Sequence, residues 1–438
     1  MEAGQYHRPI GSLLGDDMQV RRCAVVWMEP REVAHFELED LLAGGTGVVA
    51  RLGWFAHAPH LPAPVEVDAT QLPLLGALGP VDWVPRAMLE TSYGTAAVDA
   101  LMQAQLLVAR PQDDAADLAD DAFRAVRWHA PAALAHAASR WQGEDGPRAM
   151  AEAGVDTSAG LLQVQGPPPP HAPAPRVHGA EITLPRIDHD AFDHLLDTRA
   201  TCRNYDIDAQ LPLATFSQLM ARVFGARGAG HPAPGFDVIK RTSPSGGALH
   251  PTECYLIVQR VAGIAPGLYR YRIDGHALEP ITPAIAPPQP GDTGTQLLGD
   301  AAPREWSAGE LRAFARIAVA GQDWFADAPV LCVLAPRFAR NYWKYRNHAK
   351  AYRVAILDVG HLSQTLQLCA TQAGLGPFIT AAINEVDIER AFGLTSYVDG
   401  PLAVCGFGAR AEAMTTSEFD PNRRVWPRGV QPEPQSPN

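Results

Sequence analysis

The feature that most constrains this 438-residue chain is a proline-rich stretch at residues 165–176, QGPPPPHAPAPR. Consecutive prolines have no amide hydrogen to donate to a helix or a sheet, and they favour an extended, semi-rigid spacer. We therefore predict an N-terminal region over residues 1–164, a linker over 165–176, a larger domain over 177–420 and a C-terminal tail over 421–438.

Composition and charge limit the classes of protein that this chain can be. Apolar residues make up 47% and charged residues 19%, which is typical of a globular protein. The net charge of −12 disfavours non-specific binding to nucleic acid or to anionic membranes. The apolar runs are too short for a membrane span, and no signal peptide is evident. Six scattered cysteines without a CxxC pair predict reduced, mostly buried thiols, so we expect a cytoplasmic protein.

Within the N-terminal region, helical spacing between about Asp68 and Gln105 predicts three short helices. A strand-like run, LLVARP, and an acidic turn follow them, which is the element order of a winged-helix module. Only Arg86 and Arg110 are basic nearby, so peptide binding along the wing edge is favoured over DNA binding. A purely structural cap fits the same pattern equally well.

The region after the prolines mixes helices and strands without strict alternation. This order predicts an α+β fold in which a sheet is packed by helices. A long helix from about Lys350 to Ala373 is apolar or small on most faces. Such a helix is expected to be buried, either in a core or against another subunit.

Two stretches of this region carry residues suited to binding an anion. In DTRATCRNYD, Arg199 and Arg203 are four residues apart at a helix end with Thr201 between them, and two guanidinium groups with a hydroxyl suit a phosphate. A solvated helix face is the alternative. In RTSPSGGALHP, the residues Ser245, Gly246 and Gly247 could turn the backbone amides towards a ligand, or could form an ordinary β-turn.

Two further stretches suggest a base and a helix end. Lys344 precedes Tyr345 in NYWKYRNHAKAYR, and a lysine can stabilise the phenolate of a neighbouring tyrosine and so provide a base. Surface decoration is the other interpretation. In AGLGPF, Gly374 or Gly376 is the expected left-handed cap of the long helix. No metal site is predicted, because the HAPHLP segment with His57 and His60 lacks acidic or thiolate neighbours and is interpreted as a loop.

The order of these stretches resembles the nitroreductase-like flavin oxidoreductases, and within them the SagB-type dehydrogenases, which oxidise azolines in ribosomally made peptides. The resemblance covers about residues 190–410. Thr201 stands where the usual residue is serine, a hydroxyl exchange that keeps the phosphate role plausible. The sequences that carry the resemblance are RTSPSGGALHPTECYLIV, GLYRYRIDGHALEPI, WKYRNHAKAYRVAILDVGHLSQTLQLCATQAGLG and VCGFG.

This resemblance implies a nitroreductase-like FMN-binding fold in a homodimer whose two active sites lie at the subunit interface. Arg199 and Thr201 would then hold the FMN phosphate, and Arg203 would lie near the pyrimidine edge of the isoalloxazine ring. Lys344 and Tyr345 match the catalytic pair of the family. Further cofactor contacts would come from Ser245, Gly246, Gly247, Gly374, Leu375, Gly376 and, as a second phosphate contact, Arg410.

The resemblance also implies a reaction and a partner. Tyr345, aided by Lys344, would remove a ring-carbon proton from a thiazoline or oxazoline of a modified precursor peptide. Hydride transfer to FMN would give the azole, and O2 would reoxidise the cofactor. A cyclodehydratase is a possible maturation partner. The alternatives are a flavin enzyme acting on another bond of a modified peptide, a general NAD(P)H-dependent nitro- or quinone reductase, and a non-enzymatic peptide-binding scaffold.

Overall fold

The structure is a computed structural model that describes residues 18–110, 115–172 and 182–427. These residues form two compact units. The first contains the described residues up to Ser139 together with the short segment Tyr345–Ala349. The second contains Arg140–Lys344 and the described residues from Lys350 onwards.

The first unit is built from short strands and helices. Its elements are β1 (Gln19–Arg22), β2 (Trp27–Phe36), α1 (Leu38–Leu42), β3 (Val48–His57), β4 (Val65–Val67), α2 (Leu72–Ala77), β5 (Val84–Pro85), α3 (Arg86–Tyr93), α4 (Thr95–Gln103), β6 (Leu107–Arg110), α5 (Ala115–Val126) and α6 (Ala130–Ser139). Among the described residues, these strands make two antiparallel sheets with the orders β5-β1-β6 and β2-β3-β4.

The core of the first unit joins the predicted helices to both sheets. Leu74 of α2 and Val98 and Leu101 of α4 are buried with Val20 of β1 and Ala56 of β3. The three helices and the following strand therefore lie where their periodicity predicted them. The central strand of the β5-β1-β6 sheet is β1, which precedes the three helices in the sequence. The winged-helix assignment of this region stays a prediction.

The second unit is larger and has a single main sheet. Its elements are α7 (Gly146–Glu152), α8 (Ser158–Gln165), α9 (Ala191–Thr198), α10 (Leu213–Val223), β7 (Gly228–Ala233), β8 (Phe236–Lys240), a short 3-10 helix (Gly246–Ala248), β9 (Thr252–Val258), β10 (Gly267–Arg272), β11 (Ala277–Ile281), α11 (Ala308–Ala318), α12 (Asp323–Ala326), β12 (Val330–Pro336), α13 (Phe338–Lys344), α14 (Ala351–Gln372), β13 (Gly376–Thr380), α15 (Glu385–Phe392) and β14 (Ala403–Gly408).

The main sheet separates two cores. In the described chain its strand order is β11-β10-β9-β12-β14-β13, and every neighbouring pair is antiparallel. Successive residues of a strand point to opposite faces. Ile257 of β9 accordingly packs with α11 and α15, whereas Leu256 packs with α10 and α14. The unit is thus a sheet between two layers of helices, which agrees with the predicted α+β class.

The long helix α14 begins and ends within a residue of the predicted span, and it is not buried on every side. Leu362 and Leu366 lie in the core, but Ile356 and Leu357 expose 47% and 53% of their surface. Five of the six cysteines are buried and Cys369 is half-buried, and none forms a disulfide. Within the described ranges, no helix has the length and apolar character needed to cross a membrane.

The division into units differs from the predicted boundary at residues 165–176. The chain passes into the second unit at Arg140, because the segment Arg140–Asp145 is hydrogen-bonded to the beginning of α15. Residues 167–172 are exposed and form no helix or strand, as the prolines predicted, and residues 173–176 lie outside the described chain. Within the predicted tail over 421–438, Trp426 donates a hydrogen bond to Glu418, and residues 428–438 lie outside the described chain.

Candidate functional site

The first group of predicted residues lies on one loop, Arg199–Asp206, which we call the arginine loop. It begins where α9 ends, with Arg199 in an extended conformation. The amide of Cys202 donates to the carbonyl of Pro377 over 2.7 Å, so the loop lies against the start of β13. A side chain at Gly376 would place its Cβ 2.6 Å from the Cys202 sulfur, and only glycine permits this approach.

The arginine loop presents two cations that are not neutralised. Arg199 donates to the Gln367 amide oxygen over 3.1 Å, and Arg203 donates to the Ser417 carbonyl over 3.4 Å. Among the described residues, no carboxylate forms an ion pair with either guanidinium, and the Thr201 hydroxyl has no hydrogen bond. Forked guanidinium donors match phosphate oxygens. This donor set therefore fits the phosphate of FMN.

Arg410 is placed beside the arginine loop but has a partner already. It forms an ion pair with Glu418, whose side chain is fully buried, and it donates to the Ala200 carbonyl over 2.9 Å. Its charge is thus compensated within the chain, unlike the charges of Arg199 and Arg203. Its role as a second phosphate contact stays a prediction.

The second group lies on the loop Ser243–His250, which we call the glycine loop. The Ser245 hydroxyl donates to Asp358 of α14 over 2.6 Å and accepts from the His250 amide over 2.9 Å. The Gly246 amide also donates to Asp358. Burial raises the pKa of Asp358, and these two hydrogen bonds act in the opposite direction. A buried carboxylate therefore holds the loop on the long helix.

The backbone of the glycine loop runs through left-handed conformations. The φ angles of Gly247, Ala248 and His250 are 64°, 56° and 44°, and such values are uncommon for residues with a side chain. Strained backbone of this kind concentrates at ligand-binding and catalytic sites. Burial, followed by the charges of Arg241 and Arg340, lowers the pKa of His250 to about 4, so its imidazole is neutral at physiological pH.

Lys344 is linked to the glycine loop through its own helix. Arg340 of α13 donates to the Leu249 carbonyl over 2.5 Å. Lys344 is the last residue of α13, is exposed, and lies one turn after Arg340. Tyr345 falls in the first unit, where the amide of Asn347 donates to the Arg127 carbonyl over 3.0 Å. Lys344 and Tyr345 therefore belong to different units, and their role as a catalytic pair stays a prediction.

The helix α14 relates the two loops to each other. Asp358, which binds the glycine loop, and Gln367, which binds the arginine loop, are nine residues apart. Nine residues correspond to a rise of about 14 Å and to two and a half turns. The two loops therefore meet opposite sides of the helix within one chain.

The end of α14 brings the predicted Gly374–Gly376 segment to the arginine loop. The amide of Leu375 donates to the Ala370 carbonyl, that of Gly374 donates to Thr371, and Gly374 has a φ of 74°. This pattern is a Schellman cap, so the left-handed cap is Gly374. A Cβ at Gly374 would meet nothing within 4 Å, whereas one at Gly376 would collide with the loop.

The His57 segment differs from its prediction. His57 is the last residue of β3, and its Nε2 lies 2.7 Å from Glu29, so the histidine does have an acidic neighbour. Pairing of β2 with β3 brings together two residues that are 28 positions apart in sequence. Over the described residues, no group of three or more His, Cys, Asp or Glu side chains is arranged to hold a metal ion.

Three residues at these loops were not singled out from the sequence. For Asp358 the sequence did offer a sign of a specific contact, because it is an acid in an apolar helix and a buried acid is rarely without a partner. For Gln367 and Glu418 the sequence offered no such sign, because their partners Arg199 and Arg203 are 168 and 215 residues away along the chain.

Comparison with known proteins places the second unit in context. Residues 196–409 match the family model described as "Nitroreductase family". A Methanocaldococcus jannaschii protein named as a nitroreductase, MJ1384, is 25% identical over 53% of this chain and 98% of its own length. The trifolitoxin-processing protein TfxB of Rhizobium leguminosarum is 28% identical over 38% of this chain, and the microcin B17-processing protein McbC of Escherichia coli is 28% identical over 45%.

The matches to the two processing proteins are partial. They span 38% of TfxB and 62% of McbC, which is less than two thirds of either protein. Among solved structures, the E. coli microcin synthetase McbBCD complex with truncated pro-MccB17 bound contains a chain that is 20% identical to this one. The match has a TM-score of 0.44 and covers 63% of this chain and 91% of that chain.

Proposed function

We propose that this protein, whose residues 196–409 match the nitroreductase family model, is an FMN-dependent dehydrogenase of ribosomal peptide maturation. Its substrate would be a thiazoline or oxazoline in a modified precursor peptide, and its product the azole. The observation that carries the cofactor part is the pair of uncompensated cations on the arginine loop. The peptide part is supported by the likeness to TfxB and McbC, whose names describe peptide processing.

The residues of the arginine loop are suited to the cofactor phosphate. Arg199 and Arg203 provide forked donors, and Thr201 provides a hydroxyl without a hydrogen-bonding partner in the described chain. Charge-assisted hydrogen bonds to a phosphate contribute roughly 1.5–3 kcal/mol each. Gly374, Leu375 and Gly376 adjoin this loop and would lie beside the flavin ring.

The glycine loop would approach the ring or its ribityl chain from another subunit. Since the two loops meet opposite sides of α14, one flavin contacts both most simply when a second copy supplies one of them. Ile356 and Leu357 are apolar, largely exposed and on this helix. Covering them with a second copy would remove apolar surface from water. A homodimer is therefore part of the proposal.

The chemistry needs a base and a hydride acceptor. Bound FMN would supply the hydride acceptor, with O2 as the oxidant that regenerates it. Conversion of an azoline to an azole removes one proton and one hydride from neighbouring ring carbons and leaves a double bond between them. Tyr345 would accept the proton on its phenolate oxygen, and the ammonium of Lys344 would stabilise that phenolate.

The N-terminal unit would contact the peptide. It has a short antiparallel sheet beside three helices, and sheet edges of this kind can accept an added peptide strand. A nitroreductase acting on a small molecule does not need such a unit. A cyclodehydratase, which forms the azoline, would act before this enzyme on the same peptide.

The proposal is tested with a synthetic peptide that contains one thiazoline, mixed with FMN-loaded protein under anaerobic conditions. We expect the flavin absorption to bleach while the peptide loses two hydrogen atoms by mass spectrometry. Bleaching by NAD(P)H and a quinone acceptor, with no change in the peptide, would instead indicate a general reductase.

The catalytic pair is tested in the same assay. Lys344→Ala and Tyr345→Phe should each slow flavin reduction by about 10²–10⁴-fold, the usual contribution of a positioned base, and should leave FMN bound. Lys350→Ala and Tyr352→Phe, a few residues further along the chain, serve as matched controls. Full activity in both members of the first pair would contradict this assignment.

A further inference from the structure

A segment beyond the matched family domain covers the arginine loop. Residues 410–426, which we call the C-terminal strap, follow β14 and lie outside the matched range 196–409. The amide of Ala411 donates to the Asn204 carbonyl over 2.9 Å, and Tyr205 forms an isolated antiparallel bridge with Arg410. The strap therefore runs beside the loop as an additional strand-like connection.

Asn204 binds the strap through its side chain. Its amide oxygen accepts from the amides of Thr415 and Thr416, each over 2.7 Å, and its amide nitrogen donates to the Thr416 carbonyl over 2.8 Å. Asn204 is itself only 3% exposed. A buried amide that makes all of these bonds has little freedom to move, so the strap and the loop are fixed to each other.

Glu418 is the centre of this network. Its carboxylate accepts from the amide of Arg203 over 2.6 Å, from the amide of Asn204 over 3.1 Å and from the Asn204 side chain over 2.8 Å. It also accepts from the indole of Trp426 over 2.8 Å and forms the ion pair with Arg410. A buried charge is stable only when it is paired and hydrogen-bonded in this way.

The network acts mainly on the backbone of the arginine loop; Arg203 also donates to the Ser417 carbonyl of the strap, but neither Arg199 nor Arg203 has a carboxylate partner in the described chain. Glu418 accepts hydrogen bonds from backbone amides and forms an ion pair with Arg410, but it does not pair with the guanidinium groups of Arg199 or Arg203. Fixing the backbone that carries two cations reduces the entropy lost when they bind an anion. The arrangement is that of a preformed receptor for a phosphate monoester.

We infer that Glu418 is a positioning residue that holds the arginine loop in the conformation that binds the flavin-nucleotide phosphate. The inference rests on the proposed function, because it takes FMN as the ligand. It adds that the strap, and not only the matched domain, sets the affinity for this cofactor. Arg410 would then act on the phosphate site indirectly, through its ion pair with Glu418 of the strap and its hydrogen bond to the Ala200 carbonyl of the arginine loop.

The test compares FMN with riboflavin, which has the same ring but no phosphate. Binding of each to cofactor-free protein is measured by quenching of flavin fluorescence in wild type and in Glu418→Gln. Gln keeps the shape of the side chain but removes its charge. We expect the Kd for FMN to rise about tenfold or more and the Kd for riboflavin to change by less than about threefold.

Glu389→Gln is the matched control, since Glu389 is a buried carboxylate paired with an arginine, Arg140, and bound by Ser396. Its ratio of FMN to riboflavin affinity should equal that of wild type. If Glu418→Gln cannot be purified folded, Trp426→Phe removes one donor to Glu418 and should shift the ratio in the same direction by a smaller factor.

Four results would overturn the positioning role. The ratio of affinities could stay at the wild-type value, or both flavins could weaken equally, as expected of general destabilisation. Tighter FMN binding in Glu418→Gln would instead mean that the carboxylate competes with the phosphate. Wild-type protein that binds neither flavin would overturn the proposed function itself, and the positioning role with it.

Discussion

Two segments that flank the matched family domain are attached to it by the same device. The segment Arg140–Asp145 precedes the domain and is bound to the first turns of α15, and the C-terminal strap follows the domain and is bound to the arginine loop. In both, buried carboxylates accept backbone amides and pair with an arginine. The two differ in what they hold in place.

The first attachment uses the acids of α15. Glu385 accepts the amide of Trp141 over 2.8 Å, and Asp387 accepts the amide of Gly143 over 2.8 Å. Glu389 pairs with Arg140. These bonds fix a connecting segment to a helix that carries none of the predicted site residues, whereas the strap fixes the loop whose two arginines, Arg199 and Arg203, have no carboxylate partner among the described residues. We therefore expect the first attachment to govern stability alone and the second to govern cofactor binding as well.

The largest expected effect is on stability, from Glu389→Ala. Removing this carboxylate leaves the guanidinium of Arg140 buried without its charge partner, which costs about 3–5 kcal/mol. The free energy of unfolding, measured by urea denaturation, should fall by that amount. FMN affinity, measured in the absence of urea, should match wild type, and a parallel loss of FMN affinity would break the comparison.

The next effect is on the cofactor. Arg199→Ala and Arg203→Ala should each weaken FMN binding by about 1.5–3 kcal/mol, or roughly 10- to 100-fold, and leave riboflavin binding nearly unchanged. Arg222→Ala is the matched control, because Arg222 also donates to a glutamine of α14, Gln372, over 2.9 Å. Equal losses for all three arginines would show that the loop has no special role.

A smaller effect is expected where β13 meets the arginine loop. In Gly376→Ala the new methyl group would lie 2.6 Å from the Cys202 sulfur and 2.9 Å from Cγ of Arg410. Overpacking of this kind costs typically 1–3 kcal/mol. We expect a lower melting temperature and weaker FMN binding, with partial recovery in the double variant that also carries Cys202→Ala. A melting temperature equal to that of wild type would contradict the close approach.

The smallest effect is a dependence of stability on pH. Burial raises the pKa of Glu385 to about 7, against roughly 4.3 in an unfolded chain. The folded state thus binds this proton more tightly, and the resulting stabilisation is complete below the unfolded pKa and is lost as the pH rises through about 7. Gln cannot ionise, so the stability of Glu385→Gln relative to wild type should increase by about 1–2 kcal/mol between about pH 5.5 and 8.5. A pH-independent difference in melting temperature would contradict this account.

Local sequence patterns were sufficient for much of the fold. The residue pattern of the long helix predicted both ends of α14 to within one residue. The AGLGPF segment was expected to contain the left-handed cap of this helix, and Gly374 is that cap. The order of apolar strand-like runs and helically spaced segments was enough for the α+β class. The spacing of Arg199, Thr201 and Arg203 indicated an anion site, which stays a prediction, and no carboxylate pairs with either arginine in the described chain.

Patterns could not show which distant segments meet. The attachment of Arg140–Asp145 to α15 joins residues more than 240 positions apart, so the sequence held no local sign of it, and the prolines at 165–176 were the strongest local signal for a boundary. Asp358 and Glu418 act through partners that are likewise remote in sequence. Their burial and bonding are properties of the packed chain.

The most direct test of the central claim is the absorption spectrum of the protein, purified and then incubated with FMN and freed of unbound cofactor by gel filtration. We expect the visible bands of oxidised flavin in the protein fraction, at one FMN per chain, with FMN released intact on denaturation. A colourless protein that takes up no FMN would contradict the account.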